Sequence, residues 1–556
     1  MLKNFLIAQN KTELTYLINK NLKNFKVIPL SLETLIFCKL NKIDHIDLEK
    51  VLDNSIHKEI LVTTEKIINN SSFSYSKYKS LNTELIHWLR FRIYSYLFVY
   101  FILKKLKRSS KIKNICVTGW DNLESLYSKN NYFVSSFLKS LFKNVTFLNK
   151  NRYKPKREKC LSYYINKKDR VITSNSKNVI LNNLNYNFKR LAFWFFRNGY
   201  KTLVFSFTKY NYLKKFLVRL FNIKVIQIIS HEKKVVKKIT FPKLFFNKKR
   251  IDDLIIQDKN KLNILFNNIE NKTLAIKEFV QKNKILLAAS NIFRGVDGAI
   301  LEICKEKKIS TLNIPHGTLS RNYNKYDKIY KKNISEAIVY KQADLIASQS
   351  NISNEFFKQI KIKKNLVYTK NIIFNETSEK YKNPYILYAV TNKDFGNMQF
   401  YGVETFYEFF KNLENLEKIS LENDVKIVVK PHPTEFRSIK DLKALFPNLI
   451  FTKDENKKLF KKIFATVSFS SSIIEDSLNS GVPVILFDKR HRYIHCENEK
   501  NVNKFSWIYY VNNNKNFIKC LKKIKMNKNR YRIEKKLENK SKKNIGRLLK
   551  HILNEK

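Results

Sequence analysis

At 556 residues and 44% hydrophobic composition, the chain has length for two or three domains and is not a disordered tail. The formal charge of +60 comes mostly from lysine, alongside abundant Asn, Ile and Phe. These are the residues that AT-rich codons supply, and no dense Arg-rich block stands out. The charge therefore gives no ground for a specific nucleic-acid partner, and it favours phosphate-bearing substrates and contact with anionic lipid.

The opening MLKNFLIAQN has only the short apolar run Phe5 to Ala8 and no small-residue cleavage signal, so no signal peptide is expected. Phe5 to Ala8 reads as a first strand, Thr12 to Asn19 as a helix, and Val27 to Leu30 as a second strand. A mostly helical region then runs from Asp44 to Leu106. Its most apolar stretch, Ile93 to Leu103, is fenced by Arg90, Arg92, Lys104, Lys105, Lys107 and Arg108. It falls short of the ~20 residues that span a bilayer, so a buried core helix is expected, with an interfacial helix as the alternative. Asn114 to Gly119 reads as a strand ending at an ordinary Gly119-Trp120-Asp121 turn. Further strand-like runs, Leu203 to Phe207 and Val225 to Ile229, alternate with amphipathic helices, which predicts a mostly parallel α/β sheet. Cys38, Cys116, Cys160, Cys304, Cys496 and Cys520 form no C-x-x-C pair, so neither a zinc site nor a disulfide framework is expected, and a reducing cytosol is the natural compartment.

Glycine and proline are unevenly spread: of nine each, six glycines and six prolines fall between residues 285 and 490. Binding loops, which need special backbone geometry, are expected there. Lys284 to Ala289 reads as a buried strand, followed by the loop Ser290 to Gly298 and a helix. Ile309 to Ile314 is the next strand, ending at Pro315-His316-Gly317-Thr318. Asp297 and His316 thus lie at the carboxyl ends of neighbouring strands, and each is a candidate general base. For Asp297 the structural alternatives are a turn residue between two glycines and a helix-start acid.

A polar stretch from Lys370 to Asn383 marks a domain boundary, and Pro384 to Thr391 starts a fresh strand with Thr391 and Asn392 as a phosphate-contacting loop. Val425 to Val429 is a strand that stops at Lys430-Pro431-His432-Pro433, where two prolines stiffen the loop around the imidazole. Ile463 to Phe469 is a strand that meets Ser470, Ser471 and Ser472, then a helix carrying Asp476, then Gly481 and the strand Val482 to Phe487. In an open parallel sheet ligands bind beyond the carboxyl ends of the strands, where helix N-termini offer N–H groups to anions. Lys430, His432, the serines and Asp476 are therefore expected around one phosphate-bearing ligand. The bland alternative is a capping box from Ser472 to Glu475. The division expected is 1–375, an N-terminal acceptor-side Rossmann-like domain with helical insertions; 376–512, a C-terminal nucleotide-donor-binding Rossmann-like domain; and 513–556, a basic helical extension that packs back.

These motifs resemble bacterial surface-polysaccharide glycosyltransferases of the GT-B architecture, in which two Rossmann-like domains face a cleft. His316-Gly317, Lys430 to Pro433, and Ser471-Ser472 with Asp476 and the strand at Pro483 to Ile485 are similar to the CDP-glycerol glycerophosphotransferases. Asp297-Gly298, His432-Pro433 and Ser471-Ser472 resemble the bacterial polysialyltransferases and the capsule-type sialyl or Kdo transferases. Val296 stands where the latter carry an acid, and Ser468 where the former carry Asp. The resemblance covers residues 284 to 490.

It implies an inverting, metal-independent transfer of a sugar or polyol phosphate from a CMP- or CDP-linked donor to a surface polysaccharide or lipopolysaccharide. No cofactor is expected beyond that nucleotide-activated substrate. Lys430 and His432 would hold its phosphate, Ser471 and Ser472 its phosphate or nucleotide, and Asp297 or His316 would be the base. The partners implied are the nucleotide-sugar donor and a glycan or lipid-linked glycan acceptor, with the protein on the cytoplasmic side and in peripheral contact with an anionic membrane. Two rivals are a GT-B-shaped nucleotide-sugar epimerase and a non-enzymatic polyanion-binding protein.

Overall fold

The computed structural model describes residues 3–20, 24–71, 74–109, 112–118, 138, 142, 144–148, 159–172, 177–184, 188–208, 216, 218–232, 237–256, 259–316, 319–362, 364–369, 372, 385–390, 401–432, 438–527 and 549. Their strands form three largely parallel sheets and a hairpin.

The first sheet has the order β2-β1-β3-β4, from β1 (Lys3–Ala8), β2 (Phe25–Pro29), β3 (Ile112–Val117) and β4 (Val145–Phe147), all parallel. The second contains β5 (Leu161–Ile165), β6 (Asn178–Leu181), β7 (Lys201–Ser206), β8 (Ile223–Glu232), β11 (Leu287–Ser290), β12 (Ser310–Asn313), β13 (Leu345–Ser348) and β14 (Leu366–Tyr368). The hairpin is β9 (Phe245–Phe246) with β10 (Lys249–Arg250). In the second sheet the order is β14-β13-β12-β11-β6-β7-β8-β5, with only the edge strand β5 antiparallel. The third has β15 (Tyr385–Ala389), β16 (Lys426–Lys430), β17 (Ile450–Phe451), β18 (Ile463–Ser468), β19 (Val484–Phe487) and β20 (Ile508–Val511) in the order β17-β16-β15-β18-β19-β20, all parallel. The interior strands are apolar end to end because helices cover both faces: all six residues of β18 and all four of β19 are buried.

Both larger sheets are doubly wound. In the third, chain order reverses between β15 and β18; in the second, between β6 and β11. Such reversals open a crevice beyond the carboxyl ends of the two strands. Those ends face each other. Ser350, just past β13, donates through Oγ to Glu475 in the helix after β18, and Ser320, in the segment after β12, donates to the carbonyl of His495 beyond β19. The Tyr401 hydroxyl, from the third-sheet side, donates to Asp327 at 2.9 Å. A Cβ on Gly402 would lie 2.1 Å from the Tyr330 ring, so the chain approaches closely here and only glycine fits. The protein is therefore α/β and GT-B-like, with two Rossmann-like domains facing a cleft.

Residues 3–369 hold two separate sheets, and the junction expected at 375/376 lies outside the described residues. The helix Asn514–Met526 buries Phe517, Cys520, Leu521 and Ile524 against the third sheet, while Leu549 is fully buried among Val179, Leu181, Phe188 and Leu191 of the second. The helix Asn514–Met526 and Leu549 thus pack back on the two sheets.

The long helix Lys79–Ser109 runs through the core, with Leu89, Ile93, Leu97, Phe98, Ile102 and Leu103 buried. Each such side chain contributes roughly 1.5–3 kcal/mol on burial. Ile93 to Leu103 is accordingly a core helix, and no helix among the described residues is long and apolar enough to cross a membrane. Arg90 on this helix is buried in a two-pronged pair with Glu65, at 2.9 and 3.1 Å.

Candidate functional site

On the second sheet, β6 and β11 end at Leu181 and Ser290, and the loops beyond them carry Asn182 and Asn291. The Asn182 amide donates to Asn291 Oδ1 at 2.9 Å and lies close enough to the Asp297 carboxylate to favour its charged form. Asp297 lies in the first turn of the helix Gly295–Glu306, where the positive end of the helix dipole favours an anion. The glycines flanking it have separate causes. Gly295 has φ +60°, and a Cβ on Gly298 would stand 2.7 Å from the backbone of Phe293 and from Ser80 of the long helix. Burial pushes the Asp297 carboxyl up to about 6, helped by Glu84 and opposed by Asn182 and Arg294. His316, half-buried beyond β12, is fixed through its backbone amide, which donates to the Asn291 carbonyl at 2.9 Å. The structure thus ties the loop carrying His316 to the loop that leads into the Asp297 helix, through Asn291. Sequence reading missed Asn182 and Asn291; their only signal was an Asn immediately past each strand.

On the third sheet, Lys430 ends β16. Its ammonium donates to the Asp454 carbonyl at 2.7 Å and to Asn456 Oδ1, while the Asn456 amide donates to Asp476 Oδ2 at 2.6 Å. Lys430 and Asp476 are therefore joined through one asparagine, another residue the sequence did not single out. Burial holds the Lys430 ammonium below the usual lysine range, against the pull of Asp476 and Asp454. His432 is half-buried two residues on, after buried Pro431. Pro433, Thr391 and Asn392 lie outside the described residues.

The three serines divide. Ser470 is buried and its hydroxyl donates to the Gly402 carbonyl at 2.7 Å, so it holds the loop. Ser471 and Ser472 are half-buried at the mouth of the crevice. Ser471 Oγ accepts from the Ile473 amide at 3.3 Å, and Ser472 makes no side-chain cap bond. Glu475 accepts from Ser350 across the cleft, so the capping box does not form. Ser468 Oγ donates to the Ala389 carbonyl at 2.9 Å, tying β18 to β15 at the switch point.

Among the described residues no group of three or more His, Cys, Asp or Glu side chains is placed to hold a metal ion. A separate cavity of about 540 Å³ opens between the domains on the β20 side, beside Arg321, Tyr323, Glu355, Glu497 and Trp507. None of the residues expected from sequence lines it. The residues singled out from the sequence lie at the switch-point crevices and none lines this cavity, so the candidate site is placed at the crevices.

No protein-family model matches the chain, and no curated protein sequence matches it. Solved structures similar to it include UDP-GlcNAc 2-epimerase from Methanocaldococcus jannaschii, with TM-score 0.39 and 12% identity over 68% of this chain and 100% of that one. S. aureus TarM, in complex with fondaparinux, α-GlcNAc-glycerol and UDP, has TM-score 0.36 and 12% identity over 63% of this chain and 92% of that one. The wall teichoic acid polymerase TagF has TM-score 0.34 and 11% identity over 70% and 91%.

Proposed function

We propose that the chain is a GT-B-type glycosyltransferase that moves a sugar or polyol phosphate from a CMP- or CDP-linked donor to a surface polysaccharide or lipopolysaccharide acceptor. The observation that carries this reading is Asp297, a carboxylate raised to about 6 at the switch point of a sheet whose carboxyl ends face those carrying Lys430, Ser471 and Ser472. A carboxylate with that affinity for protons suits a general base near neutral pH.

In this reading the acceptor hydroxyl oxygen bonds to the donor's electrophilic centre and its proton passes to Asp297 or His316. The bond to the nucleotide phosphate oxygen breaks, and the electron pair leaves with the nucleotide. Lys430, His432 and the serine-led loop meet the charge that develops there. Two of the three Lys430 donors are held by Asp454 and Asn456, which aims the third. No metal or cofactor enters the proposal.

The test is nucleotide release from CMP-, CDP- and UDP-linked donors with and without a glycan acceptor. Acceptor-dependent release that collapses in Asp297→Asn or His316→Ala supports transfer. A donor sugar rearranged without acceptor would instead make the chain an epimerase.

A further inference from the structure

The helix Phe188–Arg197 is aromatic on both faces. Phe188, Leu191, Ala192 and Phe195 are buried against the second sheet, yet Phe193 and Phe196 on the other face are 46% and 38% exposed. Close by, Phe216, Leu220 and Phe221 are 54%, 57% and 45% exposed. The Phe193 ring lies 6.2 Å from those of Phe196 and Phe221, and Phe196 lies 5.9 Å from Phe221, so the three form one apolar surface. Phe216 and Leu220 stand one helical turn apart, their backbones bonded at 3.4 Å, and Leu220 adjoins Phe221 in the chain. Contiguous apolar exposure of this kind marks an interaction surface.

Its rim is uniformly basic. Lys189, Arg190, Arg197 and Arg219 are exposed, and the Arg197 guanidinium sits 5.8 Å from the Phe193 ring. From Arg170 to His231 the chain has eleven Lys and Arg and no Asp or Glu. A second copy of this face, or the basic C-terminal segment, would set like charges together. A single-stranded polynucleotide stacks its bases on aromatic faces, but Phe193, Phe196 and Phe221 lie tilted or edge-on to one another, at 36°, 66° and 78°, and with Leu220 they form a closed apolar knob instead of a stacking platform. A bilayer with anionic headgroups satisfies both parts: the rings enter the acyl boundary and the rim meets the headgroup phosphates.

We propose that this face docks the protein on membranes bearing anionic lipid. It rests on the patch and its charge alone and stands whether or not the chain transfers a sugar. The patch lies at the amino ends of β7 and β8, which start at Lys201 and Ile223, whereas the cleft lies at the carboxyl ends of the sheets. Docking leaves the cleft open.

The test is flotation of the full chain with phosphatidylcholine vesicles, with and without phosphatidylglycerol. Wild type is expected to float with the anionic vesicles. The variant Phe193→Ser/Phe196→Ser/Phe221→Ser is expected to bind about tenfold or more weakly, with an unchanged melting temperature because the rings are at the surface. Should that variant misfold, the reversal Arg190→Glu/Arg197→Glu carries the same expectation. Wild-type affinity in a folded variant, no binding by wild type, or a variant that keeps vesicle binding but loses self-association or polyuridylate binding would each overturn the proposal.

Discussion

The backbone amide of His316 donates to the carbonyl of Asn291 at 2.9 Å, which locks the loop after β12 to the loop after β11. Asn291 thus ties the loop that carries His316 to the loop that leads into the Asp297 helix, and its Oδ1 also accepts from Asn182. Replacing Asn291 by Ala is expected to lower kcat by about ten- to a hundredfold with little change in donor KM, since it misplaces bases and leaves the donor loops alone. Steady-state kinetics separate these.

Asp297→Asn should abolish most transfer, by about a hundredfold or more, and also stabilise the protein at neutral pH. The sign follows from the raised carboxyl. Between its ordinary 3.8 and about 6 the folded state holds a proton the unfolded chain has released, so stability falls as pH rises through that window. By pH 7 the ionised, half-buried carboxylate costs about 3 kcal/mol, which the variant recovers. Urea denaturation of both proteins at pH 4 and 7 checks this, and wild-type activity should fall as pH drops below about 6.

Arg492 is fully buried, bonded to both oxygens of Glu408 and to the carbonyls of Tyr401 and Val403 at 2.8 Å each. Burial opposes the Glu408 charge, but Arg492 and Arg490 hold its carboxyl well below the usual range. Its contribution is present above the ordinary 4.5 and lost as pH falls from there towards the lowered native value. Arg492→Ala leaves the carboxylate buried without its partner and is expected to cost about 3–5 kcal/mol in chemical denaturation at pH 7, and less at pH 3.

Gly298→Ala would place a methyl 2.7 Å from Ser80 and from the Phe293 backbone. We expect a loss of about 1–3 kcal/mol from overpacking against the long helix, read as a lower denaturation midpoint at unchanged slope.

Much of the fold could be read from the chain. Ile309 to Ile314 contains β12, Ile463 to Phe469 contains β18 and Val482 to Phe487 contains β19, because strands buried on both faces are short apolar runs bounded by Pro, Gly and Ser. Lys430 was found because it closes such a run, and Asp476 because it follows Ser471-Ser472 in the motif that carries the family resemblance. Asn182, Asn291 and Asn456 were not, because asparagine is so common here that an Asn at a strand end carries no contrast. The Ser350 bond to Glu475 joins residues 125 apart in the chain, a pairing no local pattern encodes, and it turns an apparent capping box into an interdomain contact. The exposed rings of Phe188–Arg197 were passed over for another reason: the segment reads as one more amphipathic helix between strands, and the pattern does not mark which of its rings stay in solvent.

The most direct measurement is the melting temperature of wild type and Lys430→Ala with CMP, CDP, UDP and GDP, since a ligand that binds only the folded state raises it by mass action. The account predicts that a cytidine nucleotide stabilises wild type and that the variant needs about ten- to a hundredfold more for the same shift, as expected from loss of a charge-assisted phosphate contact. If no nucleotide shifts wild type at millimolar concentration, or if one shifts both proteins alike, the cleft around Lys430 is not a nucleotide site and the transferase reading fails with it.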